Sequence, residues 1–206
     1  YCEFMMRWLS RDELPEFILV SREITSLVSN IAKTLESNCD LFSGDLSDAQ
    51  RKKVVDALSQ AGSDYRQQLY DAGLSGEKVA LPVGDCVSLL QQCVHMIDHT
   101  IHVNRRSDGL YHSYNLIDMG SDGYAVTTLQ EMLEGQVAVL NSGLLSAEQA
   151  VQIMDALHES AIYREDQQSF MLYPDRQLAR FLKKNNLTMI EKKFTKDINV
   201  KLSLLH

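Results

Sequence analysis

No stretch of this 206-residue chain approaches the roughly 18 successive apolar residues that a bilayer-crossing helix needs. The N-terminal stretch is broken by Glu3, Arg7, Arg11, Asp12 and Glu13, so the chain reads as soluble, with no membrane partner expected. Positive charge is also scarce. Lys and Arg number 20 against 28 Asp and Glu, a formal net charge of -8. Phosphate backbones require a cationic surface, so nucleic acid is not an expected partner. The short basic runs at 51–53, 183–184 and 192–193 read as solvated helix ends or loops. Cysteine is sparse and unpatterned: Cys2, Cys39, Cys86 and Cys93 form no CxxC, and they read as free thiols behaving as small apolar residues. The chain also lacks a phosphate-cradling glycine loop, a GxSxG nucleophile turn and the HExxH arrangement of helix-borne zinc sites. The Asp118 to Gly123 stretch does not have calcium-loop ligand spacing and reads as a turn. No structural disulfide, metal or cofactor is expected, and no catalytic residue can be assigned.

What is present concentrates between Asp85 and Asn115, which holds four of the six histidines, two of the cysteines and the Arg105-Arg106 pair. Asp85 suits the cap of a helix running to about Asn104. Helical spacing gathers Val87, Leu90, Val94, Ile97 and Ile101 on one stripe and Ser88, Gln92, His95, His99 and His102 on the other, so the histidines face solvent or a cleft. His95 and His99 have the i,i+4 spacing of helix-borne metal ligands, with His102, His112 or Asp98 nearby. A polar cleft wall or plain surface histidines fit the pattern as well. Asp108-Gly109 then turns the chain into a tyrosine-rich, extended segment from Leu110 to Ile117.

The rest is helical in pattern. Residues 1–10 look like the end of a helix. Phe17, Val20, Ile24, Leu27, Ile31 and Leu35 predict one long amphipathic helix from Asp12 or Pro15 to about Cys39. Capping-box pairs Ser47/Gln50, Thr128/Glu131 and Ser146/Gln149 predict helices starting near 48, 129 and 147, with stops at Gly73 and Gly143 and an interruption at Gly62. Residues 74–84 read as a connector, 163–176 as a polar aromatic loop, and 174–184 as a short helix. The expected fold is all-α, built of helical hairpins as a bundle or partial (α/α) toroid, with a small extended or hairpin element near 110–128. It forms one domain, with a subdivision into 1–84 and 85–206. The opening Tyr1 and the alternating Ile198, Val200, Leu202 and Leu204 suggest a piece of a longer polypeptide, whose remaining domains would then be partners.

Arg105, Asp108, Tyr111, His112 and Asn115 offer flat rings beside fork-shaped donors and amides, and Arg164 and Asp166 repeat the mixture in the later loop. Such groups suit a sugar, whose ring has C–H faces as well as hydroxyls. Residues that pin loops to helix ends would look the same. Glycoside hydrolysis needs two flanking carboxylates, and Asp108, Glu131, Glu134, Glu165 and Asp166 are candidates whose separation the sequence does not report.

The strings RRSDGLYHSYNLI (105–117), LQEMLEGQVAVLNSGLLS (129–146) and YREDQQSFMLYPDRQLARFLKKN (163–185) resemble a segment of large, poorly characterised bacterial multidomain proteins. Paired helices with DGLY-type loops are also similar to the (α/α) toroids of carbohydrate-active enzymes, a likeness of fold only. The expected function is a helical, carbohydrate-associated domain, with Arg105, Asp108, Tyr111, His112, Asn115, Arg164 and Asp166 as the candidate binding residues that their side-chain chemistry suggests. The competing expectation is a non-catalytic helical scaffold or protein-interaction module.

Overall fold

The computed structural model describes residues 1–175 and 178–184. The chain divides into two compact units, Tyr1–Pro174 and Asp175–His206. Arg176 and the alternating run from Ile198 to Leu204 lie outside the described residues.

Helix α1 (Cys2–Leu9) precedes strand β1 (Phe17–Ser21), and helix α2 (Arg22–Glu36) follows the strand directly. The single long helix expected from Asp12 to Cys39 is therefore split. Phe17-Ile-Leu-Val is a run of aromatic, branched side chains, and its spacing fits a strand as well as a helix turn. The choice is made by β2 (Lys78–Pro82), which pairs antiparallel with β1 from Phe17 opposite Pro82 to Ser21 opposite Lys78. That partner sits in the stretch read as a connector, too distant in sequence for local periodicity to register. Glu23 locks the junction. It is 1% exposed and accepts the Ser75 N–H at 2.9 Å, and the Ser75 side chain and backbone hold its carboxyl below the usual range.

Helix α3 (Asp48–Ala72) begins with the expected capping box, Ser47 accepting from the Gln50 N–H and Gln50 accepting from Ser47 N–H. It runs through Gly62 without a break. One glycine costs a helix only about 1 kcal/mol against alanine, less than packing of the flanking turns returns, and Val54 and Ala61 are buried. Gly73, at φ 71°, ends it with its N–H on Leu69 O. Helix α4 (Val83–Val103) starts two residues before the expected Asp85 cap, directly from β2. A first core gathers Leu35, Phe42 and Val54, with Leu89, Cys93 and Met96 of α4 against it.

Strands β3 (Asn115–Met119) and β4 (Tyr124–Thr128) form a hairpin within the stretch read as extended. Thr128 pairs with Asn115 there and does not cap a helix, so α5 (Leu133–Leu140) starts four residues later than its capping-box pattern predicts. Helix α6 (Ala147–Glu159) has the expected Ser146/Gln149 box. Strands β5 (Tyr163–Arg164) and β6 (Ser169–Phe170) make a third small hairpin. A second core joins Leu110, Tyr111, Val139, Ile153, Leu157 and Ile162. In the second unit, α7 (Phe181–Lys184) is shorter than the helix expected from 174.

Among the described residues helix makes up 54% and three two-stranded antiparallel sheets make up 14%, so the fold is mixed α and β with helix dominant. The all-α expectation is corrected because two of the three sheets arise from pairings that short apolar or polar runs do not announce.

Candidate functional site

The loop from Arg105 to Tyr111 closes on itself. The Arg106 N–H donates to Leu110 O at 2.8 Å, Gly109 takes φ 85°, and the His112 N–H donates to Asn104 O at 2.9 Å. Arg106 forks onto Asp108, with Nη2 to Oδ2 at 2.7 Å and Nε to Oδ1 at 3.1 Å, and also lies 3.4 Å from Glu131. The Leu110 N–H donates to Asp108 Oδ1 at 3.1 Å. The Arg106 guanidinium and this N–H hold the Asp108 carboxyl below the usual carboxylate range, against the opposing effect of burial. These two side chains are spent on the loop, which is the pinning role.

A pH dependence follows. A carboxyl whose pKa is lower folded than its unfolded value contributes stability above that unfolded value, and the contribution disappears as pH falls through the folded one. The stability difference between wild type and Asp108→Asn should therefore be level above about pH 5 and shrink below about pH 4. Urea unfolding across that range measures it, and a difference that stays level down to about pH 2 counts against the pairing.

The expected site residues separate. Tyr111 is 3% exposed and belongs to the second core, not to a surface. Its backbone is held by a side chain of α5. Gln136, fully buried, accepts the Tyr111 N–H at 2.8 Å and donates to Tyr111 O at 2.8 Å and to Met132 O at 3.0 Å. Arg105 is exposed and bridges to Tyr111 through backbone only. Arg164 forks onto Asp166 at 3.0 and 2.6 Å near the exposed tip of the β5–β6 hairpin, keeping that carboxyl below its usual range. Tyr163 packs with His158 and Phe170, ring centroids 4.9 and 5.3 Å away, so its ring is engaged internally. Among these residues His112 and Asn115 line cavities, and the two cavities they line contain no residue of 163–175.

A cleft of about 610 Å³ lies between α3, α4, the 39–45 turn and β4. Its walls are apolar, with Val54, Val55, Leu58, Met96, Val103 and Val126 contributing. Nothing in the sequence marked these residues as one wall, because they lie on three elements and each carries an ordinary core side chain. His99 was placed on the polar side of its helix and does line the cleft, with Nε2 2.6 Å from Gly44 O and its ring beside Phe42. His95 also packs on Phe42, ring centroids 6.4 Å apart.

Several polar groups bordering the cleft are engaged within the chain. Arg51 donates to Asp48 at 2.7 Å, to Tyr124 O at 2.5 Å and to Leu46 O at 3.1 Å. Asn115 donates to Asn104 Oδ1 at 2.8 Å. Lys52 lies 4.7 Å above the Tyr124 ring and 2.6 Å from Asp56, whose carboxyl also accepts the Tyr124 hydroxyl; the ammonium and this hydroxyl lower the Asp56 pKa. Gly123 lets the hairpin turn approach α3, since a Cβ there would lie 2.9 Å from the Asp48 carbonyl carbon. Beyond this anchor, β3 is exposed along its whole length, with Leu116 at 57% and Met119 at 64%, and the hairpin has no third strand among the described residues.

Among the described residues no helix is long and apolar enough to cross a membrane. No protein-family model matches the chain, and no curated protein matches it significantly.

Proposed function

We propose that this chain is a non-catalytic interaction module whose cleft between α3, α4 and β4 receives an apolar segment of another polypeptide. The observation that carries this is the cleft itself, an open, apolar-walled cavity of about 610 Å³ in which the Arg51 and Asn115 side chains are already paired within the chain. Clefts of this size and lining are where ligands are held. The exposed Leu116, Ile117, Met119 and Val126 extend the apolar character onto the hairpin, and such patches mark contact surfaces. Its unpaired outer edge could also accept a strand from the partner.

Hydrolytic chemistry fits the cleft poorly. Asp45 is the one carboxylate among its lining residues, where glycoside cleavage needs two facing carboxylates.

Selection of apolar peptides from a random library against the intact chain tests the reading. An enriched peptide should bind with Kd of order micromolar and lose at least tenfold, about 1.4 kcal/mol, on Val126→Asp, a lip residue whose change leaves both cores intact. Equal binding to the variant, or the absence of any enriched peptide, overturns the proposal.

A further inference from the structure

The cleft between α3, α4 and β4 holds one negative charge that nothing in the chain neutralises. Asp45, in the 39–45 turn, is exposed, lines the cleft and has no hydrogen-bond or ion-pair partner among the described residues. We infer that the segment received by this cleft carries a lysine or arginine among its apolar residues, seated against the Asp45 carboxylate. This rests on the cleft being a docking site and adds the charge of the partner.

The neighbouring charges leave Asp45 alone. Arg51 is the one Lys or Arg of the lining, and its guanidinium is committed to Asp48, Leu46 O and Tyr124 O. Asp48 and Asp56 of α3 are themselves paired, with Arg51 and with Lys52. The other polar side chains of the lining carry no negative charge. His99 lies on Gly44 O, Thr100 donates to Met96 O, and the Asn115 amide donates to Asn104.

The cleft therefore discriminates its occupant by sign. Seating a neutral apolar segment beside Asp45 strips water from the carboxylate and returns nothing, whereas an ammonium or guanidinium on the segment restores the lost interaction. An acidic segment meets a like charge, on a chain whose formal net charge is already -8. The methylene stem of a lysine or arginine can lie along the apolar wall while its head reaches the exposed carboxylate. Because Asp45 is exposed, the pair keeps partial contact with water, and the effect on affinity is several-fold, not orders of magnitude.

Selection from a random peptide library on the intact chain, repeated on Asp45→Asn and Asp45→Lys, tests it. Each enriched peptide is then measured by fluorescence anisotropy beside a copy with norleucine in place of its basic residue. The wild type should enrich apolar peptides that contain Lys or Arg, and the norleucine copy should bind about threefold to fivefold more weakly at low salt. Asp45→Asn should bind the two copies equally, and Asp45→Lys should enrich peptides with Asp or Glu instead. That reversal is a gain that misfolding does not produce. Both variants should melt within about 2 °C of wild type, since an exposed side chain without a partner is replaced. Enrichment of apolar peptides without a basic residue, or an advantage of the basic residue that Asp45→Asn retains, overturns the inference and leaves the peptide cleft standing. No enriched peptide at all overturns both.

Discussion

Replacing Tyr111 by alanine is expected to cost about 3–4 kcal/mol, the range for emptying an aromatic site in a packed core. Tyr111 is 3% exposed among Leu110, Val139, Ile153, Leu157 and Ile162, so the deleted ring leaves a cavity between helices that cannot close on it without moving. In a unit of this size the melting temperature should fall by roughly 6–15 °C. Tyr111→Phe keeps the ring and should retain most of the stability. A loop residue on a sugar-binding surface would instead cost within about 1 kcal/mol. A loss that small, measured by urea and thermal unfolding, would place Tyr111 outside the core.

Gln136→Leu should be nearly as damaging, about 2–4 kcal/mol, although it makes the core more apolar. The substitution strands the N–H and C=O of Tyr111, each of which costs about 1–3 kcal/mol when buried without a partner, and the added apolar contact offsets part of this. Gln136→Glu separates the polar explanation from packing, because its shape is unchanged. The ionised carboxylate cannot donate to Tyr111 O or Met132 O, whereas the protonated acid can donate once. Burial raises that carboxyl's folded pKa above its unfolded value, so the variant should gain on wild type as pH falls toward about 4. A Glu variant equal to wild type at neutral pH would mean that the amide hydrogen bonds contribute little.

Elements that carry their own local signal were legible. The Ser47/Gln50 and Ser146/Gln149 boxes start helices where their spacing says, since capping is satisfied by residues three apart. The Gly73 stop requires only a backbone at positive φ. Thr128/Glu131 carries the same pattern and caps nothing, because pairing with Asn115 claimed the Thr128 backbone for a strand. The polar side of α4 was also legible from its period, and His99 lies on the cleft wall.

The candidate sites were legible only in part. His112 and Asn115 line cavities, while Tyr111 from the same string belongs to the second core, a division that alternation along the segment does not predict. Arg106 and Asp108, like Arg164 and Asp166, stand two residues apart and close on each other, a local geometry that charge patterning alone does not distinguish from a binding surface.

By itself, the sequence determined where most helices lie, which turns interrupt them and that the charge is acidic, because caps, glycine stops and apolar periods act within a few residues. Only the tertiary structure decided that Phe17–Ser21 is a strand, that Gln136 serves the backbone of Tyr111, and that Val54, Met96 and Val126 face one cleft. Each of those outcomes depends on groups tens of residues apart meeting in space, and the energy of such a meeting leaves no mark on the local pattern of either partner.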